Sequence, residues 1–369
     1  MVVTGINRRH FLSFLATAPW LCQQALASSN STEANLLASA SKGADGRYFL
    51  NTLTADGQVS LEYPLSERAH QVINHPHQPW LIAIARRPGT SIDIVDYQTH
   101  QQVAHITTQP GYHLYGHAQI SADGRHLLTT EHHPTQANGR IVIRELTPPF
   151  AIVESYSTQG IGPHEFRLSD DQQQLIIANG GIQTQGRTKV NLATMRPSLV
   201  YLSVSSGHLL EKAELPNIYH QCSIRHIDLS ADGEVVIAMQ YQGHLADDVP
   251  LVAHHRRGEA IRTLPLPEHI RSQLKQYCGS CCFDQSGRYA AVSAPRGNQV
   301  MFWDMREQQF LGTVRLKDAC GLAATSVAGR FTISTGRGKA YRCSVRNGQL
   351  VTDVLSRSPF WWDNHLTRL

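Results

Sequence analysis

A short strand, a tight turn close to Ser-x-Asp-Gly and a second apolar strand recur along this chain, and that repeat constrains its fold more than any other feature. The unit is clearest at Ala118-Gln119-Ile120-Ser121-Ala122-Asp123-Gly124, which leads into Leu127-Leu128-Thr129-Thr130. It returns at 166–171 before Leu175-Ile176-Ile177-Ala178, and at 227–233 before Val235-Val236-Ile237-Ala238. Weaker copies at 72–76, 282–287 and 326–329 bring the turns to six. An Asp-Gly pair supplies the positive φ that a tight hairpin needs. The flanking runs are short, β-rich and without a helical period, so they read as strands.

A second hairpin type interleaves with the first, of which Val300-Met301-Phe302-Trp303-Asp304 with Phe310-Leu311-Gly312-Thr313-Val314 is the clearest. Counting Tyr48-Phe49-Leu50 with Val59-Ser60-Leu61-Glu62 at the start, there are seven outer hairpins against six inner ones. The mismatch is resolved by an all-β, seven-bladed β-propeller, in which the N-terminal segment gives the outer strands of one blade. Its innermost strand comes from the tail Trp361-Trp362-Asp363-Asn364-His365-Leu366, so no free edge remains at the join. Six blades with an extra N-terminal hairpin is the alternative.

The N-terminus bears on compartment. Arg8 and Arg9 stand before an apolar run from 11 to 21, and Ala25-Leu26-Ala27 offers a small-x-small cleavage site. This order is that of a twin-arginine (Tat) signal peptide, 1–27, cut after Ala27. Residues 28–369 then form a single propeller domain, handed to the periplasm by the Tat translocase and carrying no membrane segment after cleavage. Cys22 permits a lipoprotein reading, although Pro19-Trp20-Leu21 lacks the small residues expected before a lipidated cysteine. The net charge of +4 falls to +2 without the leader, which holds two arginines and no acid, so nothing supports nucleic-acid binding. Six of the seven cysteines survive cleavage. Cys278-x-x-Cys281-Cys282 lacks the second pair of a zinc spacing and reads as a disulfide or buried thiols.

The repeat organises the histidines. Four residues before the Ser position of each turn stand His70, His117, Glu165 and His226 in four successive blades, with Ser280 and Leu322 in the next two. Innermost strands begin at one rim of the central channel, so equal offsets become neighbours there, and the closing strand adds His365. Imidazoles with a carboxylate suit a first-row transition metal such as iron, copper or zinc, and not calcium. A lone histidine in a Gly-His pair such as Gly116-His117 is more often part of a structural hydrogen-bond network; three at one offset argue for a site. His164, and Glu131 with His132 and His133, are candidates for further ligands or for groups behind the ligands. Arg86, Arg87, Arg296 and Arg337 follow second strands and suit an anion or a partner's carboxylates. Asn179 precedes a long connection, Gly180 to Pro197, that suits a lid. His254-His255-Arg256-Arg257 reads as a solvated turn, and 268–275 as a short helix.

Several segments resemble one family, the exported proteins grouped as domain of unknown function 1513. They include Ala85-Arg86-Arg87-Pro88-Gly89, Tyr115-Gly116-His117, Gly160-Ile161-Gly162-Pro163-His164-Glu165, Ala178-Asn179-Gly180-Gly181, Ser223-Ile224-Arg225-His226 and Trp362-Asp363-Asn364-His365. The resemblance implies Tat export and a gene neighbourhood of imelysin-like, iron-regulated proteins, hence iron or copper handling and an imelysin-like periplasmic partner. It brings no catalytic residue. Three functions remain open: a metal-binding accessory to uptake, a lactonase- or oxidase-like enzyme with Glu165 or His164 as base, and a metal-free docking scaffold.

Overall fold

The computed structural model describes residues 37–54, 58–136, 138–185 and 188–369. The twin-arginine leader, with Arg8, Arg9 and the cleavage site after Ala27, lies outside the described residues.

Seven antiparallel sheets stand around a central channel, and all have the same meander order from the channel outward. Blade 1 comprises Ala69–Asn74, Trp80–Ala85, Ser91–Asp96 and Gln101–Thr107. Blades 2 to 6 begin with His113–Ile120, Pro163–Leu168, Cys222–Leu229, Ser280–Phe283 and Ala319–Ala324 as their innermost strands. Blade 7 is built from both ends of the chain. Leu37–Lys42, Tyr48–Leu53 and Val59–Leu65 supply its outer three strands, and Trp361–Trp362 with Thr367–Arg368 pair against Leu37–Lys42 from the channel side. The expected clasp is therefore present, with one strand more than the sequence revealed: Leu37–Lys42, whose Leu-Ala-Ser-Ala-Ser-Lys carries little apolar signal yet is buried over its first five residues.

The core lies between blades, where facing sheets bury both sides of their middle strands. Ile176, Leu199 and Tyr201 of blade 3, for example, share one cluster with Ile224, Val235 and Ile237 of blade 4 and with Val292, Met301 and Trp303 of blade 5. The outermost strands face solvent on one side. Gln101–Thr107 and Leu209–Glu214 accordingly alternate between exposed and half-buried residues. The repeated turns close as expected, with Asp123 and Asp232 accepting from Ser121 and Ser230 (2.5 Å each), and Gly124 and Gly233 at φ +73° and +84°.

His254 and His255 are corrected by the structure: they lie within the strand Val252–Arg256 and are buried, not in a solvated turn. The third strand of a blade is covered on both faces, so each ring needs a polar partner, and each has one. His254 donates to Glu234 (2.5 Å), and His255 meets the Tyr201 hydroxyl (2.8 Å). The 268–275 segment does form a short helix, Glu268–Arg271, continued by a 3-10 turn.

All six cysteines from Cys222 to Cys343 are free thiols and buried. Burial pushes Cys222, Cys278 and Cys320 up to about 12, which keeps them protonated and inert at neutral pH. Residues 28–369, purified without reductant, should therefore yield six thiols to Ellman's reagent after denaturation and essentially none before. Fewer than six after denaturation would reveal a disulfide.

Candidate metal centre

Five consecutive blades each send one imidazole into the channel. His365 comes from blade 7, and His70, His117, His164 and His226 come from blades 1 to 4. Around the ring of five, centroids are separated by 4.6 Å (His365 to His70), 4.9 Å (His70 to His117), 4.9 Å (His117 to His164), 4.6 Å (His164 to His226) and 5.0 Å (His226 to His365). Blades 5 and 6 put Ser280 and Leu322 at the corresponding offset, so the ring is eccentric. His70, His117, His226 and His365 are at most 7% exposed, and His164 is half-buried. The ring thus stands inside the channel, below the mouth at which the sequence placed it. Toward the Ser-x-Asp-Gly turns, His365 lines a cavity of about 590 Å³ together with Arg167, Asp228 and Cys281.

The convergence has a local cause. Innermost strands lose register at this level between Ala69 and Gln71, Leu114 and Ala118, Pro163 and Phe166, Ile224 and His226, and Ala319 and Leu322. In blade 7 the same level falls in the gap between Trp361–Trp362 and Thr367–Arg368. A bulge re-aims side chains and interrupts pairing. In blade 3 the irregular residues are His164 and Glu165, so both enter the centre. Gly116 (φ +100°) lets blades 1 and 2 approach, since a Cβ there would stand 2.7 Å from the Cβ of His70.

Two carboxylates fix two of the rings from behind. His70 Nδ1 donates to Asp363 (3.1 Å), which Arg68 also grips at 2.6 Å. His226 Nδ1 donates to Glu165 Oε2 (3.0 Å), while Arg167 holds Oε1 at 2.8 Å and reaches Asp228 at 2.9 Å. Both arrangements leave Nε2 as the nitrogen available for a ligand bond, and a carboxylate behind an imidazole is a common support for metal-binding histidines. The other rings are held less directly: both nitrogens of His117, Nδ1 of His164 and Nε2 of His365 are buried without a hydrogen-bond partner among the described residues, although His117 Nδ1 stands 3.7 Å from Glu165 Oε1. Ligand atoms of His70, His117 and His164 lie within 4.8 Å of one another, as do those of His117, His226 and His365. His117 belongs to both sets.

Burial lowers His70 below its ordinary value despite Asp363, and lowers His117, His164 and His365 much further, with neighbouring imidazoles and arginines adding to the effect. Burial alone would raise Glu165 and Asp363. Arg167 and His226 hold Glu165 below the usual carboxylate value, and His70 and Arg68 hold Asp363 well below it. In blade 2, burial takes His113 and His132 down to about 4. The unfolded chain therefore gains protons below about 6.5 that the folded one refuses. Stability should be fully present above pH 6.5 and fall as pH drops toward 4, by about 1.4 kcal/mol per pH unit for each such histidine. Urea titrations of metal-free protein at pH 7.5, 6 and 5 check this; a midpoint unchanged over that span contradicts it.

The remaining sequence candidates divide. Arg86 lies near enough to His70, His365 and Asp363 for its charge to act on all three. Glu131 is engaged elsewhere, with its two oxygens held by Arg144 (2.5 Å) and Arg140 (2.8 Å) inside blade 2. Asn179 donates to the Thr158 carbonyl (2.9 Å), which fastens the turn before His164. Arg296 is exposed and stacks on Tyr277 at 4.3 Å, and the exposed Arg337 lies beyond the second strand of blade 6. The 180–197 connection folds into a small hairpin, Thr184–Gln185 with Thr188–Lys189, tied to blade 1 through Arg87 and to blade 4 through Gln242. Sequence reasoning missed Asp363, Arg68 and Arg167 as supports. Each stands two residues from a channel residue: Arg68 from His70, Arg167 from Glu165 and Asp363 from His365.

Fold and centre together define a seven-bladed β-propeller whose channel is crossed by a ring of buried histidines. The chain belongs to the family described as "Protein of unknown function (DUF1513)", whose model matches residues 63–369. No curated protein matches it. Among solved structures it is similar to a chain of the hydrazine synthase of Kuenenia stuttgartiensis, with a TM-score of 0.59 and 16% identity over 86% of this chain and 95% of that one. At that identity the likeness concerns the fold alone.

Proposed function

We propose that this protein is a Tat-exported periplasmic propeller that holds one first-row transition metal in its histidine ring and serves iron or copper handling. The observation that carries this reading is the convergence of buried imidazole nitrogens without partners. Leaving a buried polar atom unpaired costs about 1–3 kcal/mol, and His117, His164 and His365 each carry one within the two overlapping groups of converging nitrogens. A metal ion takes one nitrogen from each ring that it binds. An all-imidazole set suits iron, copper or zinc and suits calcium or magnesium poorly; the family resemblance is what favours iron or copper.

In this reading His117, His226 and His365, with His70 and His164 across the ring, supply the ligands. Glu165 and Asp363 orient His226 and His70 and offset part of the ion's charge. This assignment moves Glu165 from ligand to support, because both its oxygens are already engaged. It also weighs against Glu165 as a general base, since a carboxylate held low by Arg167 is a weak one. Export supports the reading through the Arg8-Arg9 leader, as the Tat route passes folded proteins, and an imelysin-like protein is the partner that the family resemblance suggests.

Asp363→Asn tests the supporting role. It preserves shape while removing the charge behind His70, and should weaken metal affinity by about 10- to 100-fold. Competition titration against a chromogenic chelator measures it. Affinity equal to the unaltered protein would show that His70 is not among the ligands.

A further inference from the structure

A second constellation lies at the end of the channel away from the Ser-x-Asp-Gly turns. Arg86 and Arg87 follow the second strand of blade 1, Arg225 precedes His226 in blade 4, Lys189 stands on the small hairpin of blade 3, and Arg296 follows the second strand of blade 5. Arg86 and Arg87 are near enough to Arg225 for their charges to oppose it, and Lys189 feels Arg225, Arg296 and Arg87. None of the five forms a salt bridge among the described residues; the Asp363 carboxylate near Arg86 is already shared by Arg68 and His70. Their immediate company is aromatic and neutral. Arg87 lies 5.7 Å from the centroid of the Tyr115 ring, Arg296 lies 4.3 Å from that of Tyr277, and Asn364 donates to the Tyr277 hydroxyl (3.4 Å).

Arg225 is the telling member. It is half-buried, and its Nε is enclosed without a hydrogen-bond partner. The backbone packs closely beside it: a Cβ on Gly180 would come within 2.7 Å of Ser223 Oγ and 3.5 Å of Arg225 Nε. A guanidinium is seldom enclosed unless a carboxylate or phosphate meets it. This chain provides neither among the described residues.

We propose that Arg87, Arg225 and Arg296, with Arg86 and Lys189, form a binding site for a small di- or tricarboxylate at this end of the channel. The planar forks of Arg87 and Arg225 meet one carboxylate near the histidine ring. Arg296 and Lys189, which are exposed, meet another at the rim. The site is independent of the metal: it is defined by charge left unpaired in the metal-free chain.

Isothermal titration calorimetry on EDTA-dialysed, full-length protein tests it with citrate and, separately, inorganic phosphate. Saturable citrate binding at one site per chain is expected, weakened at least tenfold by Arg225→Gln and by Arg87→Gln. Arg296→Gln alters an exposed side chain and keeps the test available if Arg225→Gln does not fold; it too should weaken citrate. Arg125→Gln, in the turn of blade 2, should leave it unchanged. Absence of saturable citrate binding, an affinity indifferent to all three rim variants, or binding of phosphate with citrate inert would each overturn the assignment. Because no metal is present, failure here leaves the histidine centre untouched, and failure of metal binding leaves this site untouched.

Discussion

Trp362→Ala is expected to lower the free energy of unfolding by about 3–5 kcal/mol, the range for removing a large aromatic side chain from a core. The indole is 4% exposed and sits where the ring of blades closes, packed with Leu37, Phe49, Leu53, Phe360 and Leu366 beside Cys320 and Ala323 of blade 6. Its backbone pairs with Ser41 of the first described strand. Its Nε1 has no partner, so the loss is one of packing alone. The same short strand positions Asp363 and His365, so loosening it should also weaken metal binding. Denaturant unfolding measures the first effect and chelator competition the second. A loss below about 1 kcal/mol would mean that the two chain ends do not close the ring in solution.

His117→Ala is expected to have the largest effect on metal binding of any single substitution. The residue belongs to both groups of three converging nitrogens, whereas His70 and His365 belong to one each. Removing an indirect support costs about 10- to 100-fold in affinity, so removing a shared ligand should exceed about 100-fold. Metal-free stability should change far less than affinity, because the lost ring carried two unpartnered buried nitrogens. Comparing His70→Ala with His365→Ala then shows which group contributes more to holding the ion, the greater loss marking the stronger contributor. Unchanged affinity in His117→Ala is incompatible with either group.

Much of the fold was legible because its signal is repeated. Asp123-Gly124 and Asp232-Gly233 mark hairpins by a backbone requirement that few residues satisfy, and the surplus outer hairpin forced the closing strand before any contact was known. Leu37–Lys42 escaped notice because Ala and Ser at buried positions give no hydrophobic contrast. His254 and His255 were misplaced because two polar residues look solvated until Glu234 and Tyr201 are seen to face them. The ring of histidines was found by offset, not by motif: His70, His117 and His226 share a position, and His365 followed from the blade count. His164 joins the ring beside Glu165 because the strand pairing is irregular across both residues, and such an irregularity has no sequence signature here. Asp363 and Arg167 were unreadable for a different reason. Their roles depend on partners far away in the chain, His70 for the one and Glu165 with Asp228 for the other.

The claim that the histidine ring holds a transition metal is tested most directly by metal content. Residues 28–369, incubated with excess Fe(II), Cu(II) or Zn(II) and desalted, should retain about one ion per chain by mass spectrometry. X-ray absorption should then show a shell of nitrogen atoms at about 2.0–2.1 Å, lost in the His117→Ala, His226→Ala double variant. Folded protein that retains no ion under any of the three loadings, or a double variant that retains as much as the unaltered chain, would contradict the account.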